Sequence, residues 1–154
     1  MEDMEVEERD LEYIHRKAKE EFENLAGNTL LFTGANGFLG YYFIKSILAW
    51  NDIHPSKKII VYGLDNFATG VPNWLRKRDH IKILKIDITK YQPSVNVNFD
   101  YILHAASPAS PTFYRKYPIE TINANVVGLY NILNYILKRK KAKKKAKGLL
   151  FFSS

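Results

Sequence analysis

The 154-residue sequence contains no cysteine, which excludes disulfides and thiolate metal sites; no metal site of any kind is predicted. A chain without thiols fits a cytoplasmic location, and its acidic opening does not resemble a secretory signal peptide. No apolar run is long enough to cross a bilayer, so membrane association is not expected. With 46% hydrophobic and 25% charged residues, the composition is that of a soluble globular domain.

The positive charge of the chain is local. Residues 138–147 hold eight basic side chains, and removing them from the net charge of +7 leaves the remainder close to neutral. Because this segment alternates lysine with alanine and has no aromatic residue, it offers charge without base stacking, and a nucleic-acid partner is not expected. An alternative function stays open, in which a non-catalytic nucleotide-binding module presents this segment to an anionic partner.

A glycine-rich turn organises the sequence. A short apolar run, 29–32, predicts a buried strand, and 38–50 predicts a helix. Between them Gly34, Gly37 and Gly40 follow the spacing G-x-x-G-x-x-G. In a strand–turn–helix unit, the first glycine permits a tight turn, the second lets a pyrophosphate approach the backbone, and the third lets the helix pack closely. The helix N-terminus then favours an anion. A plain glycine-rich turn is the alternative, and a Walker loop is excluded because no Gly-Lys-Ser/Thr follows.

Strands and helices alternate along the rest of the chain. Further strands are predicted at 57–63, 81–86, 99–103 and 149–152, with a loop and a short helix over 67–78. Pro108 and Pro111 are expected to keep the chain out of a helix, whereas Pro118 begins one long helix with a buried apolar stripe at 119, 122, 126, 129, 133 and 136. The lysine run finishes this helix and extends past it, and Gly148 breaks it. This order predicts an α/β fold: a doubly wound parallel sheet of the Rossmann type with about five strands.

The N-terminal segment is predicted to be an added helix. Apolar residues recur there at spacings of three or four and form one stripe: Leu11, Ile14, Ala18, Phe22 and Leu25. We expect this helix to pack on the domain or on a partner, with a frayed leader over 1–8 as the alternative. The predicted organisation is therefore a helical extension, 1–27, and a nucleotide-binding domain, 28–154.

Polar groups follow the predicted strands at one edge of the sheet. Asp65 lies 25 residues beyond Gly40, near the distance at which dinucleotide folds place an acid for the ribose hydroxyls. Such a carboxylate repels a 2′-phosphate, so NAD is favoured over NADP; a plain turn residue is the alternative. Asp87 could accept from an adenine amino group or simply cap its turn.

The small residues that begin at Ala105, after the fourth predicted strand, leave room for a ribose of the cofactor. His104, at the end of that strand, is interpreted as a structural residue.

These stretches together resemble the N-terminal half of an extended short-chain dehydrogenase/reductase of the NAD-dependent epimerase/dehydratase group, which acts on nucleotide sugars. The segments that carry the resemblance are TGANGFLG at 33–40, DNFATG at 65–70, HAASPASPTFY at 104–114, PIETINANVVGLYNIL at 118–133 and LLFFSS at 149–154. The pattern from 106 to 128 is most similar to UDP-glucuronate decarboxylases.

The resemblance implies roles for individual residues. The backbone around the glycine turn would hold the pyrophosphate, and the acidic residues with their neighbours would bind the adenosine. Small residues would line the nicotinamide. Ser154 falls at or one place before the family's catalytic Ser/Thr. The implied cofactor-binding residues are Gly34, Asn36, Gly37, Phe38, Leu39, Gly40, Asp65, Asn66, Asp87, Ile88, Ala105, Ala106 and Ser107. Asn125 matches the asparagine of the family's helix.

The resemblance also implies that the catalytic Tyr-x-x-x-Lys pair lies beyond residue 154. Two such strings occur at 13–17 and 41–45, but both fall on predicted helices at ordinary surface spacing. We therefore expect an NAD-binding half that is inactive alone because it lacks the general base. A two-chain enzyme is another possibility. Family members commonly dimerise through the long helix, so an exposed apolar face is expected on 118–137.

Overall fold

The computed structural model describes residues 2–68, 70–71, 79–90 and 97–152. Its helices are α1 (Glu2–Lys17), α2 (Lys19–Leu25), α3 (Phe38–Ile53), α4 (Pro111–Lys116), α5 (Pro118–Asn123) and α6 (Leu129–Lys141), with a π-helical turn, Ala124–Gly128, between the last two. Its strands are β1 (Thr29–Thr33), β2 (Ile60–Asp65), β3 (Ile81–Lys85), β4 (Tyr101–His104) and β5 (Gly148–Phe151).

The five strands form one parallel sheet in the order β3-β2-β1-β4-β5. The chain therefore winds outward in one direction from β1 to β3, and then returns to the other side of β1 for β4 and β5. This reversal makes the carboxyl ends of β1 and β4 the point where a doubly wound sheet opens a crevice. The predicted Rossmann-type fold is confirmed.

Alternating side chains of β1 build a separate core on each face of the sheet. Leu30 and Phe32 pack with the inner face of α3 and with Phe22 of α2, whereas Leu31 packs with Ile132 of α6 and its neighbours. Since successive side chains of a strand point to opposite faces, this division follows from the apolar run itself. β1 is the centre of the domain, and its carboxyl end is held rigidly from both sides.

Three local predictions were wrong. Pro111 begins α4, where its missing N–H and fixed φ suit the first position of a helix. The N-terminal stripe is divided at Ala18, whose backbone leaves the helical region between α1 and α2. The long helix ends at Lys141, and Lys143 adopts a positive φ of 59°, so Gly148 opens β5 instead of terminating a helix.

An apolar stripe is exposed along the helical run from α5 to α6, which agrees with the exposed face expected there and shows that the predicted buried stripe was wrong at 119, 122, 126 and 133. Its members recur every three or four residues and are Ile119, Ile122, Val126, Tyr130, Leu133 and Leu137. This run is continuous through the π-helical turn, so the expectation of one long helix holds apart from that wider turn. Among the helices that the structure describes, none combines the length and apolar character needed to cross a membrane.

Candidate functional site

The glycine turn brings the ends of three strands together. Gly34 has a φ of +78°, and a Cβ added to it would lie 2.6 Å from the carbonyl oxygen of Ala105, just beyond β4. Its amide donates to the carbonyl of Leu64 on β2 at 2.8 Å. Both the backbone conformation and the close approach therefore require glycine at this position. The tight turn predicted for Gly34 is the structural centre of the site.

The next two glycines set the start of α3. Gly37 precedes the helix in an extended conformation, and its amide donates to the carbonyl of Gly34 at 3.0 Å. A Cβ on the buried Gly40 would overlap the backbone carbonyl of Ala35, so this glycine lets α3 lie directly on the turn. Phe38 is 78% exposed at the first helical position. A tight turn with glycine at its first and last positions therefore leads into an accessible helix N-terminus, which is a suitable environment for a phosphate.

Asp65 joins β2 to the glycine turn. Its Oδ2 accepts the amide of Asn36 at 2.9 Å, and its Oδ1 accepts the amide of Phe67 at 2.7 Å. The Asn36 side chain in turn donates to the carbonyl of Gly70 at 2.6 Å. Each carboxylate oxygen retains a further lone pair after these bonds, so Asp65 can still accept from hydroxyl groups of a ligand. The predicted acid and the predicted turn are neighbours at one edge of the sheet.

The segment after β3 is held in place by hydrogen bonds within its own turn and by a hydrogen bond from α6. Asp87 accepts the amide and hydroxyl of Thr89 at 3.0 and 2.7 Å, and Lys90 lies 3.5 Å away. Burial opposes ionisation of this carboxyl, but the bonds from Thr89 and Lys90 outweigh it and lower the pKa of Asp87. Ile88 is buried, and Asn131 of α6 donates to its carbonyl at 2.8 Å. Asp87 therefore caps its turn and stays ionised at neutral pH.

The small residues after β4 face the π-helical turn. The amide of Ala105 donates to the carbonyl of Thr33 at 3.1 Å, and the amide of Ser107 donates to the carbonyl of Ala105 at 3.0 Å. Asn125 of the π-helical turn donates to Ser107 Oγ at 2.7 Å. This bond fixes the loop against the helix that begins at Pro118 and gives Asn125 an observed role in shaping the site.

His104 belongs to the core. Its Nδ1 lies 2.6 Å from Thr33 Oγ1, and its ring stacks on Phe151 with centroids 5.3 Å apart. Burial lowers the pKa of His104, which keeps the ring neutral. These contacts agree with its interpretation as a structural histidine.

Two residues of the site were missed by the sequence analysis. A Cβ on Gly63 of β2 would lie 2.8 Å from the Cβ of Ala35 and would overlap Ile83, so this glycine makes room for the turn. A glycine inside an apolar strand indicates a close approach of a neighbouring group, and this pattern could have identified Gly63. Asn131, which holds the Ile88 segment, appears in the sequence only as a polar residue within a helix; no local pattern identifies it.

Neither Tyr-x-x-x-Lys string forms a catalytic pair. Tyr41 donates to Glu7 Oε2 and Lys45 donates to Glu7 Oε1, each at 2.7 Å. Burial, together with the bond to Glu7, raises the pKa of Tyr41 to about 12, which makes it unsuitable as a base at neutral pH. Tyr13 is 54% exposed on α1, where Lys17 lies over its ring. Ser154 lies outside the described residues, as do 72–78 of the predicted loop and short helix.

The site combines a glycine turn, a helix N-terminus and an acceptor carboxylate. The model of the NAD dependent epimerase/dehydratase family matches residues 30–154. UDP-glucuronic acid decarboxylase 6 of Arabidopsis thaliana is 33% identical over 107 residues, which are 68% of this chain and 29% of that protein. UDP-glucuronic acid decarboxylase 1 of Danio rerio is 32% identical over 108 residues, 68% of this chain and 23% of that protein. The chain thus spans less than a third of these relatives.

Solved structures show the same fold. The Bordetella bronchiseptica enzyme WbmF in complex with NADH superposes with a TM-score of 0.65 at 17% identity, over 83% of this chain and 36% of that one. A UDP-galactose 4-epimerase superposes with a TM-score of 0.62 at 20% identity, over 82% of this chain and 38% of that one. At such low identity these likenesses concern the fold alone.

Proposed function

The chain belongs to the NAD dependent epimerase/dehydratase family, and on that premise we propose that residues 28–154 form the NAD-binding domain of a nucleotide-sugar-modifying enzyme. The observation that supports this most is the 2.9 Å bond between Asp65 Oδ2 and the amide of Asn36. It puts an acceptor for ribose hydroxyls beside the turn that suits a pyrophosphate, within reach of one dinucleotide.

The pyrophosphate is proposed to lie on the backbone of Gly37, Phe38 and Leu39. Gly34 and Gly40 let this turn pack closely on its neighbours, because a Cβ at either position would overlap backbone. The N-terminal amides of α3 and the helix dipole favour a negative charge there. When bound, NAD supplies the hydride acceptor; the chain's own part is to bind and orient it.

The adenosine is proposed to bind on the β2 side of the pyrophosphate. Asp65 accepts from the ribose hydroxyls with Asn66 beside it, and Asp87 with Ile88 flanks the adenine. The carboxylate of Asp65 repels a 2′-phosphate, which favours NAD over NADP. On the β4 side, small residues line the nicotinamide: Ala105, Ala106 and Ser107.

The substrate is proposed to be a nucleotide sugar, with UDP-glucuronate as the first candidate because relatives that match this chain are UDP-glucuronic acid decarboxylases. This would make the enzyme a cytoplasmic lyase, with Ser154 polarising the reacting oxygen. Neither Tyr-x-x-x-Lys string is proposed to supply the general base, since Tyr41 is bound to Glu7 and Tyr13 is exposed on α1. We propose that this polypeptide alone binds NAD without turnover, and that the enzyme is a homodimer.

Calorimetric titration of the 154-residue chain with NAD and NADP tests the cofactor assignment. We expect saturable binding of NAD and about ten-fold weaker binding of NADP, and the Asp65→Asn variant should lose most of this preference. The exposed Asp52, remote from the turn on α3, provides a matched control as Asp52→Asn. Equal affinity for both dinucleotides in the wild type would refute the role of Asp65. Turnover of UDP-glucuronate with NAD would refute the proposed inactivity.

A further inference from the structure

Helices α1 and α2 lie before residue 30, where the family model begins its match, so membership of the family assigns them no role. They pack along α3, the helix that the glycine turn opens. Phe22 of α2 stacks on Trp50 with ring centroids 5.1 Å apart, and His15 Nε2 lies 2.8 Å from the carbonyl of Ser46. From Glu7 onward, the N-terminal helices therefore pack on α3.

The contacts show that α1 and α3 run in the same direction. Glu7 meets Tyr41 and Lys45 in the early part of α3, whereas His15 meets Ser46 further along it. The first half of α1 consequently lies beside the first turns of α3. Contacts in this region are polar, whereas those of α2 with the end of α3 are apolar.

The first turn of α3 is intrinsically weak. Gly37 precedes it without a capping side chain, and Gly40 lies inside it, where glycine destabilises a helix relative to alanine. The bond that closes this turn runs from the amide of Tyr41 to the carbonyl of Gly37 at 2.9 Å. Tyr41 is also the residue whose hydroxyl is held by Glu7, so the contact from α1 acts directly on the residue that closes the turn.

We propose that Glu7 is a positioning residue for the pyrophosphate site: by binding Tyr41 and Lys45 it holds the first turn of α3, so that the amides following Gly37 are set for a phosphate before the ligand arrives. The expected effect on phosphate binding rests on the proposed function. The support that Glu7 gives to the first turn of α3 does not depend on it. Preorganised donors bind an anion more tightly because less ordering accompanies binding.

The test compares Glu7→Ala with Glu8→Ala, a matched control at an exposed position on the same helix. Amide hydrogen exchange at Tyr41 should be about three- to five-fold faster in Glu7→Ala than in the control, the size expected for a partly exposed charged contact. The affinity for ADP, which carries the pyrophosphate, should fall by a similar factor. The affinity for adenosine, which lacks it, should change less than about two-fold. Glu7→Gln, which keeps an acceptor for Tyr41, should recover part of the loss.

Each outcome decides the proposal. Unchanged exchange at Tyr41 in Glu7→Ala would overturn it, as would an equal loss of ADP and adenosine affinity, which indicates general destabilisation. If the wild type binds neither compound, the proposed function fails, while the exchange of the Tyr41 amide still shows whether Glu7 supports the turn.

Discussion

The two halves of the sheet differ in how completely the chain covers them. Around β1, β2 and α3, most strand side chains are buried between two layers, and the glycine turn fits closely against neighbouring backbone. Around the α5–α6 run and β5, large apolar side chains are exposed, including Leu137 at 55% and Leu150 at 53%. The first half has the better-covered strands and carries the glycine turn and Asp65. The second has an apolar surface of the kind that marks an interface.

The largest expected effect is in the better-covered half, at the glycine turn. Gly34→Val should destabilise the chain by about 3 kcal/mol or more, since it combines a left-handed backbone with overlap against Ala105. Gly70→Val is the matched control, because Gly70 also has a positive φ but nothing lies within 4 Å of an added Cβ. Urea unfolding should show that the control lowers the free energy of unfolding by about 1–2 kcal/mol. Equal losses would mean that the close approach to Ala105 contributes nothing.

Adjacent residues of α6 separate the covered and exposed surfaces. Ile132 is fully buried, whereas Leu133 is 42% exposed. Ile132→Ala should lower the free energy of unfolding by about 2–4 kcal/mol, and Leu133→Ala by less than about 0.5 kcal/mol at low protein concentration. Chemical denaturation of both variants is the measurement. A large loss for Leu133→Ala under dilute conditions would show that this stripe is covered within one chain, and the contrast between the halves would disappear.

Self-association should depend on the exposed stripe. Introducing carboxylates at its centre, as Val126→Glu with Leu133→Glu, should weaken any dimer at least ten-fold, because charges are depleted from interface cores. Sedimentation equilibrium measures this, with Lys145→Glu, at an exposed position after the end of α6, as a control outside the stripe. Association that survives the double substitution, or is lost in the control, would locate the interface elsewhere.

The smallest effect concerns the contact of α1 with α3. The bond from Lys45, followed by that from Tyr41, lowers the pKa of Glu7 below its ordinary value of 4.5. The contribution of the ionised Glu7 to stability is therefore fully present above its ordinary pKa and is lost as the pH falls through its lowered pKa. The thermal unfolding midpoints of the wild type and Glu7→Gln should become equal at pH values below the lowered pKa of Glu7, and should differ slightly at pH 6. Glu8→Gln should follow the wild type throughout; a constant difference at all pH values would contradict this account.

The sequence predicted the parts of the molecule that local rules determine. The buried run of β1, the glycines and Asp65 each have a positional requirement that leaves a visible pattern. What it missed depends on tertiary neighbours: Asn131 reaches a carbonyl 43 residues away in the chain, and Gly63 is needed because Ala35 packs on it. The start of α4 at Pro111 was misjudged because proline excludes a helix interior but favours its first turn.

The central claim is that backbone amides near Gly37 and the carboxylate of Asp65 bind the two parts of one adenine dinucleotide. Titrating the isotopically labelled chain with NAD and following its amide resonances tests this most directly. We predict concerted shifts, with a single affinity, at Gly37–Leu39 and at Asn36 and Phe67, whose amides donate to Asp65. The opposite edge of the sheet, near Lys57 and Asp100, should not respond. Shifts confined to that opposite edge, or two separate affinities for the two groups, would contradict the account.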